Sequence, residues 1–196
     1  MEDFSFRLLE PTDLGILQDF CNACKKLGYK NNESFASIKL DKMTMPFGRF
    51  FIGYDNRHKK IFTLAGIHKL DEVNDRAWRC LFRGATLPGY TMSNGLSKNF
   101  FQTMYQFKFI LPLQIEYIKN RFINPEFYIT TVNEKNTTDD AGKSKRMSIV
   151  AAKTMAKKNI IEKVKDDIIL YYTNQTLWKI NLTNFYKEKN LHDLQI

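Results

Sequence analysis

The stretch RAWRCLFRGATLPGYTMSNGLSKNFFQTMYQ, Arg76 to Gln106, decides the fold. It opens on a hydrophobic run, Ala77-Trp78-Arg79-Cys80-Leu81-Phe82, that reads as a strand ending at Arg83-Gly84. Ala85 to Tyr90 carries a Pro-Gly pair and reads as a loop. Thr91 to Lys98 then leads into a helical pattern through Phe100, Met104 and Phe107. A strand, a Gly-containing loop and a helix start gather free backbone N–H groups and a positive helix end at one place, which suits a phosphate.

Working outward, Phe4 to Leu9 alternates as a first strand. Pro11-Thr12-Asp13 signals a helix start, with Thr12 or Asp13 placed to cap the first turn. Leu14, Leu17, Cys21 and Cys24 then form one apolar helix face that closes near Gly28. Asn31 to Met45 fits either a second helix or a long loop. Arg49 to Tyr54 and Ile61 to Lys69 form a hairpin across a polar turn, and the acidic turn Asp71 to Asp75 leads into the strand from Arg76.

Beyond the central stretch, Leu113, Ile115 and Ile118 mark a short helix and Phe127 to Val132 a strand. After a polar loop, a basic helix runs from about Ser144 to Val164. Asp166-Asp167 separates it from a strand at Ile168 to Thr173, which turns at Asn174-Gln175 into a partner at Leu177 to Leu182. The order is that of one mixed α/β domain over residues 1–196, with 183–196 as a C-terminal extension.

The bulk composition excludes several classes. At 43% hydrophobic residues the 196-residue chain is too apolar for disorder and long enough for a sizeable core. The net charge of +9 invites a polyanionic partner, yet the first 98 residues carry +4 and the remainder +5, and so even a spread does not favour nucleic acid. Three cysteines, an acidic N-terminus and the lack of a long apolar run predict a cytoplasmic protein without a membrane span. Cys21 and Cys24 have a metal-like spacing but share the apolar helix face, so a buried core role is the expectation and no metal is called for.

The element order and local sequences resemble the GNAT superfamily of acyl-CoA-dependent N-acyltransferases over about Phe4 to Leu182. Phe6 to Leu14 looks like that family's opening strand and turn, Phe50 to Tyr54 and Thr63 to His68 like its second and third strands, Arg76 to Arg83 like its fourth and Phe127 to Val132 like its fifth. The resemblance implies a mixed, mostly antiparallel sheet of about six to seven strands flanked by helices. It also implies a sheet splayed between the fourth and fifth strands, just past Phe82, where an acyl-CoA's pantetheine arm lies. The implied activity is transfer of an acetyl or other acyl group from acyl-CoA, as co-substrate, to a small-molecule or peptide amine by direct attack. The family's pyrophosphate loop reads Arg or Gln, two residues, Gly, one residue, Gly or Ala. The nearest match, Met92 to Ser97, keeps the central Gly95 but lacks the leading Arg and ends in Ser. The tyrosine that often protonates the leaving thiolate is absent from Ser144 to Val164. These departures motivate an alternative, a catalytically inactive GNAT-like binding module contacting nucleic acid or an acidic partner.

Candidate site residues follow. Leu81, Phe82, Arg83, Asn94, Gly95, Leu96, Ser97 and Lys98 are the acyl-CoA-binding set, through open strand backbone, helix-start N–H groups and cations. Lys143, Lys145 and Arg146 are further cations for the phosphates. His68 is the candidate base, with Glu72 and Asp75 in the neighbouring acidic turn, and Tyr171 a candidate acid. A lone histidine is more commonly a surface or satisfied group, and for Tyr171 a core or ligand-wall role outweighs an acid's.

Overall fold

The computed structural model describes residues 3–27, 48–88, 90, 105–132, 142–170 and 173–193. The chain runs β1 (Phe4–Leu8), a 3-10 turn (Pro11–Asp13), α1 (Leu14–Lys26), β2 (Gly48–Asp55), β3 (Lys60–Lys69) and β4 (Ala77–Thr86). A π turn (Gln106–Ile110) then runs into α2 (Leu111–Lys119), followed by β5 (Glu126–Val132), α3 (Gly142–Lys157), β6 (Ile161–Leu170), β7 (Thr173–Ile180) and α4 (Leu182–Asp193). One seven-stranded sheet has the order β1-β2-β3-β4-β5-β7-β6. All its described pairs are antiparallel except β4 with β5. This is the mixed, mostly antiparallel α/β sheet that the sequence predicts.

Strand alternation sends side chains to two cores. Phe51, Ala65, Ile67, Trp78, Cys80, Phe127, Ile129 and Trp178 pack with α2, α3 and Phe185 of α4 on one face. Phe50, Ile52, Ile61 and Leu64 pack on the other face with Leu17, Phe20, Cys21 and Cys24 of α1. The two α1 cysteines are therefore core residues, and burial pushes their thiols up to about 11 and about 12, far from reactive.

Five local expectations need correction. Asp13 does not cap α1. Its carboxylate accepts two bonds from the Arg7 guanidinium, at 2.5 and 2.7 Å, and one from the Glu10 backbone N–H at 2.9 Å, pinning β1 to the turn instead. The basic helix stops at Lys157 rather than Val164. Asn159 takes the left-handed conformation (φ 54), with Asn159 N–H to Ala156 O at 2.9 Å and Ile160 N–H to Met155 O at 3.0 Å, which is a Schellman stop with Asn in glycine's place. Residues 161–170 are consequently strand, and Asp166-Asp167 is a bulge inside β6 (Asp167 φ 58) instead of a separator. Asn174 and Gln175 lie within β7, paired to Ile169 and Ile168, so they do not form the hairpin turn. The strand from Arg76 also does not end at Gly84 but continues to Thr86. The open helix-or-loop segment 31–45 lies outside the described residues. The C-terminal extension is helical to Asp193.

Candidate active site in the split sheet

β4 and β5 run side by side for three residue pairs, Ala77↔Glu126, Trp78↔Phe127 and Arg79↔Tyr128, and no farther. β4 then follows β3 to Thr86, while β5 follows β7 to Val132. The two strands therefore part after Arg79 and Tyr128, three residues earlier than the sequence reading placed it. The cause lies in β4 itself. Against β3 it carries two extra residues, one between Arg79 and Phe82 and one between Phe82 and Ala85. At the first, Leu81 has φ 54, a conformation strained for a branched side chain. Such bulges bend and twist a strand away from its neighbour.

A bulge leaves backbone groups without strand partners; one buried glutamine supplies them at the first, and a second ties side chains together beside the other. Gln114 of α2, fully buried, accepts the Leu81 N–H at 3.1 Å and donates to Ala65 O at 3.1 Å. Gln106 donates to Thr63 Oγ1 at 3.2 Å and Thr86 Oγ1 at 3.3 Å. Its amide oxygen lies where a side chain on Gly84 would begin, 2.6 Å from an added Cβ, so glycine is the residue that lets this amide approach the second bulge. Neither glutamine was among the sequence candidates. The available signal was a pair of amides, eight residues apart, set in the otherwise apolar face of Phe107, Ile110, Leu111, Ile115 and Ile118.

The apex where the strands join is clasped by Glu126. Its carboxylate accepts from Tyr128 OH (2.6 Å), Asn74 Nδ2 (3.1 Å), Arg76 Nη2 (3.1 Å) and Lys179 Nζ (3.3 Å). The Tyr128 hydroxyl foremost, with Asn74 and Lys179, holds the Glu126 carboxyl down at about 2, from an ordinary 4.5. A depressed carboxylate stabilises the fold above its unfolded value and loses that contribution as pH falls through the folded one. Denaturant titrations should thus show Glu126→Gln less stable than wild type at pH 7, with the gap narrowing from about pH 4.5 towards 2. A gap constant over that window would contradict the clasp.

Of the predicted site residues, the structure gathers His68, Leu81 and Phe82. His68 of β3 stands opposite Arg79, in the last row of residues before the split. Its ring meets Phe82 edge to face at 4.5 Å, and its Nδ1 lies against Lys69 O. A carbonyl only accepts, so Nδ1 carries the hydrogen and Nε2 is the basic nitrogen of the neutral ring. Phe82 sends its side chain towards the α1 core, and Leu81 towards the α2 core. The backbone of Arg83 lies in β4. Lys143, Lys145 and Arg146 fall in the first turns of α3. Glu72 and Asp75 are not brought to the split. They are exposed in the turn before β4, at the opposite end of that strand from the opening. Asn94, Gly95, Leu96, Ser97, Lys98 and Tyr171 lie outside the described residues.

Three further groups went unpredicted, two at the split and one in the loop after β4. Arg79 Nη2 donates to Gln175 Oε1 at 2.8 Å, strapping β4 to β7 across β5. Thr130, on β5 one alternation beyond Tyr128, has a buried hydroxyl with no hydrogen-bond partner. Tyr90, in the loop after β4, donates to the buried carboxylate of Asp55, which also accepts from the His58 backbone N–H at 2.9 Å. That bond ties the start of the loop to the β2–β3 turn. Among the described residues no cluster of His, Cys, Asp and Glu could hold a metal, and no helix is long and apolar enough to cross a membrane.

The split sheet is the GNAT fold. Solved structures similar over nearly the whole chain include a chimera of the spermidine N-acetyltransferase SpeG from Vibrio cholerae and hSSAT, with TM-score 0.52, 14% identity, and coverage of 94% of this chain and 99% of that one. A putative GNAT-family acetyltransferase from Desulfovibrio desulfuricans gives TM-score 0.55 at 9% identity, covering 91% and 99%. FeeM, an N-acyl amino acid synthase from uncultured soil microbes, gives 0.55 at 10%, covering 97% and 96%. No family model and no curated protein matches the sequence. At these identities the likeness establishes the fold, and the chemistry has to be argued from the residues.

Proposed function

We propose that the protein is an N-acyltransferase that moves an acetyl or other acyl group from acyl-CoA to an amine by direct attack. The observation that carries this reading is the parting of β4 from β5, whose pairing stops after Arg79 and Tyr128. A pantetheine arm, extended and amide-bearing, is suited to such a parting because it can exchange hydrogen bonds with strand backbone. Its pyrophosphate would rest on the segment around Asn94, Gly95, Leu96, Ser97 and Lys98, with Arg83 nearby. Catalysis then needs proximity, a base for the ammonium and a donor for the oxyanion. His68 Nε2 is assigned the base role. The Leu81 N–H is already given to Gln114, so the oxyanion donor is another group of the split. The acceptor is a small-molecule or peptide amine, and the three free, buried cysteines fit a reducing cytoplasm.

Calorimetry with CoA and acetyl-CoA tests the reading. Binding in the micromolar to low millimolar range is expected, and no heat at millimolar ligand removes the transferase assignment. The engaged Leu81 N–H also favours a second reading, a GNAT-like module without catalysis that contacts nucleic acid or an acidic protein. Salt-dependent retention on nucleic acid, without CoA binding, would support that module instead.

A further inference from the structure

The Thr130 hydroxyl is buried and makes no hydrogen bond, although the residue as a whole is only half-buried. An unmade buried polar group costs about 1–3 kcal/mol. Valine would fill the same space in a strand without that cost. Thr131, the next residue of β5, shows the ordinary arrangement. Its Oγ1 accepts the indole N–H of Trp178 at 3.0 Å, on the opposite face of the sheet.

Register places this hydroxyl. His68, Arg79 and Tyr128 form one row across β3, β4 and β5, the last row before the split. Residues in one row share a face of the sheet, and so do residues two apart on one strand. Thr130 therefore stands on the face of His68, about 7 Å beyond Tyr128 along β5. At this height β5 is still paired with β7, Thr130 opposite Leu177, but no longer with β4. Leu177 offers the hydroxyl no acceptor. His68 lies on the β3 side of the split, and Thr130 borders it from the β5 side.

Acyl transfer needs a donor for the developing oxyanion, and the Leu81 N–H is committed to Gln114. Resting on the acyltransferase reading, we propose that Thr130 is a catalytic residue whose hydroxyl donates a hydrogen bond to the thioester carbonyl oxygen of acyl-CoA. The free amine bonds to the carbonyl carbon from the His68 side, and the carbonyl π pair moves onto the oxygen that Thr130 holds. That pair then returns, the C–S bond breaks, and the thiolate leaves with its electron pair. His68 Nε2 takes the proton from the nitrogen, and that proton neutralises the thiolate. Thr130 keeps its own proton throughout. Branching at Cβ restricts χ1 of a threonine, so the donor is pre-oriented and needs little reorganisation as charge develops.

The test is infrared difference spectroscopy of the full chain with acetyl-CoA isotopically labelled at the thioester carbonyl. The carbonyl stretch of bound acetyl-CoA is expected at lower frequency than that of free acetyl-CoA. Thr130→Val keeps the shape and removes the donor, so it should abolish most of that shift with acetyl-CoA affinity unchanged. With hydroxylamine as the acceptor, Thr130→Val should lower kcat by about 100-fold at an unchanged KM for acetyl-CoA, the usual loss for one oxyanion donor. Thr130→Ser should restore both the shift and the turnover. The thermal midpoint of Thr130→Val should equal or exceed that of wild type, because an orphaned hydroxyl is removed. A wild type that binds no acetyl-CoA removes the transferase reading and this assignment with it. Binding of acetyl-CoA without a carbonyl shift, a shift and a kcat that survive Thr130→Val, or a midpoint lowered by that substitution would each overturn the assignment alone.

Discussion

Gln114→Ala should lower the thermal midpoint by about 6–12 °C, the largest effect expected of any single amide in this fold. Gln114 has no exposed surface, and both ends of its amide are engaged by backbone, the Leu81 N–H at 3.1 Å and Ala65 O at 3.1 Å. Alanine leaves a buried donor and a buried acceptor with nothing in place of either. Each orphaned group costs about 1–3 kcal/mol, so the pair costs roughly 3 kcal/mol, and each kcal/mol is ~2–4 °C for a domain of this size. Gln114→Met keeps the volume and removes the bonds, so it should show most of the same loss. If Met restores the wild-type midpoint, the cost is one of packing and the amide is not what holds the bulge. Because the bulge separates β4 from β5, either variant should also weaken CoA binding if the slot is the CoA site.

His68→Ala should reduce kcat/KM by about 100-fold at neutral pH, the usual yield of a positioned general base. The activity is read as thiol release from acetyl-CoA against a panel of small amines. CoA affinity should be unchanged, because His68 lies on the α1 face in the row of the apex and a base acts on the amine rather than on the cofactor. The acid limb of the pH–rate profile should disappear with the imidazole. A variant that retains wild-type turnover and pH profile would return His68 to the role of an ordinary strand-end residue packed on Phe82. A loss of CoA binding together with activity would mean instead that the substitution deforms the split.

Much of the strand order was legible because half-buried strands announce themselves by alternation, as in Phe4 to Leu8, and buried ones by short apolar runs, as in Phe50 to Ile52. What misled lay where short polar residues serve two purposes. Asn159 ends a helix in the left-handed region, a role usually filled by glycine, so the helical pattern ran past its true end. Asp166-Asp167 and Asn174-Gln175 resemble turns, but the first is a bulge and the second contains Gln175, buried and bonded to Arg79 and Leu170 O. Gly84 was read as the end of a strand, whereas it makes room for Gln106 inside one.

The site was legible only in part, and for a related reason. The slot depends on two extra residues in β4, and the sequence has no local mark for a bulge at Leu81, a residue that does not favour positive φ. The glutamines beside those bulges belong to a helix across the core. Their purpose is visible only once α2 is laid against β3 and β4. His68 could be named from its residue type alone. Its place in the apex row is a matter of register, set by the same bulges.

A crystal structure with CoA bound tests the central claim most directly. A pantetheine arm is expected between β4 and β5 beyond Arg79 and Tyr128, passing between the backbones of Leu81 and Ile129, with the diphosphate near Gly95. Ladder hydrogen bonds joining β4 to β5 past Arg79, or CoA bound elsewhere with the slot filled by side chains, would contradict it.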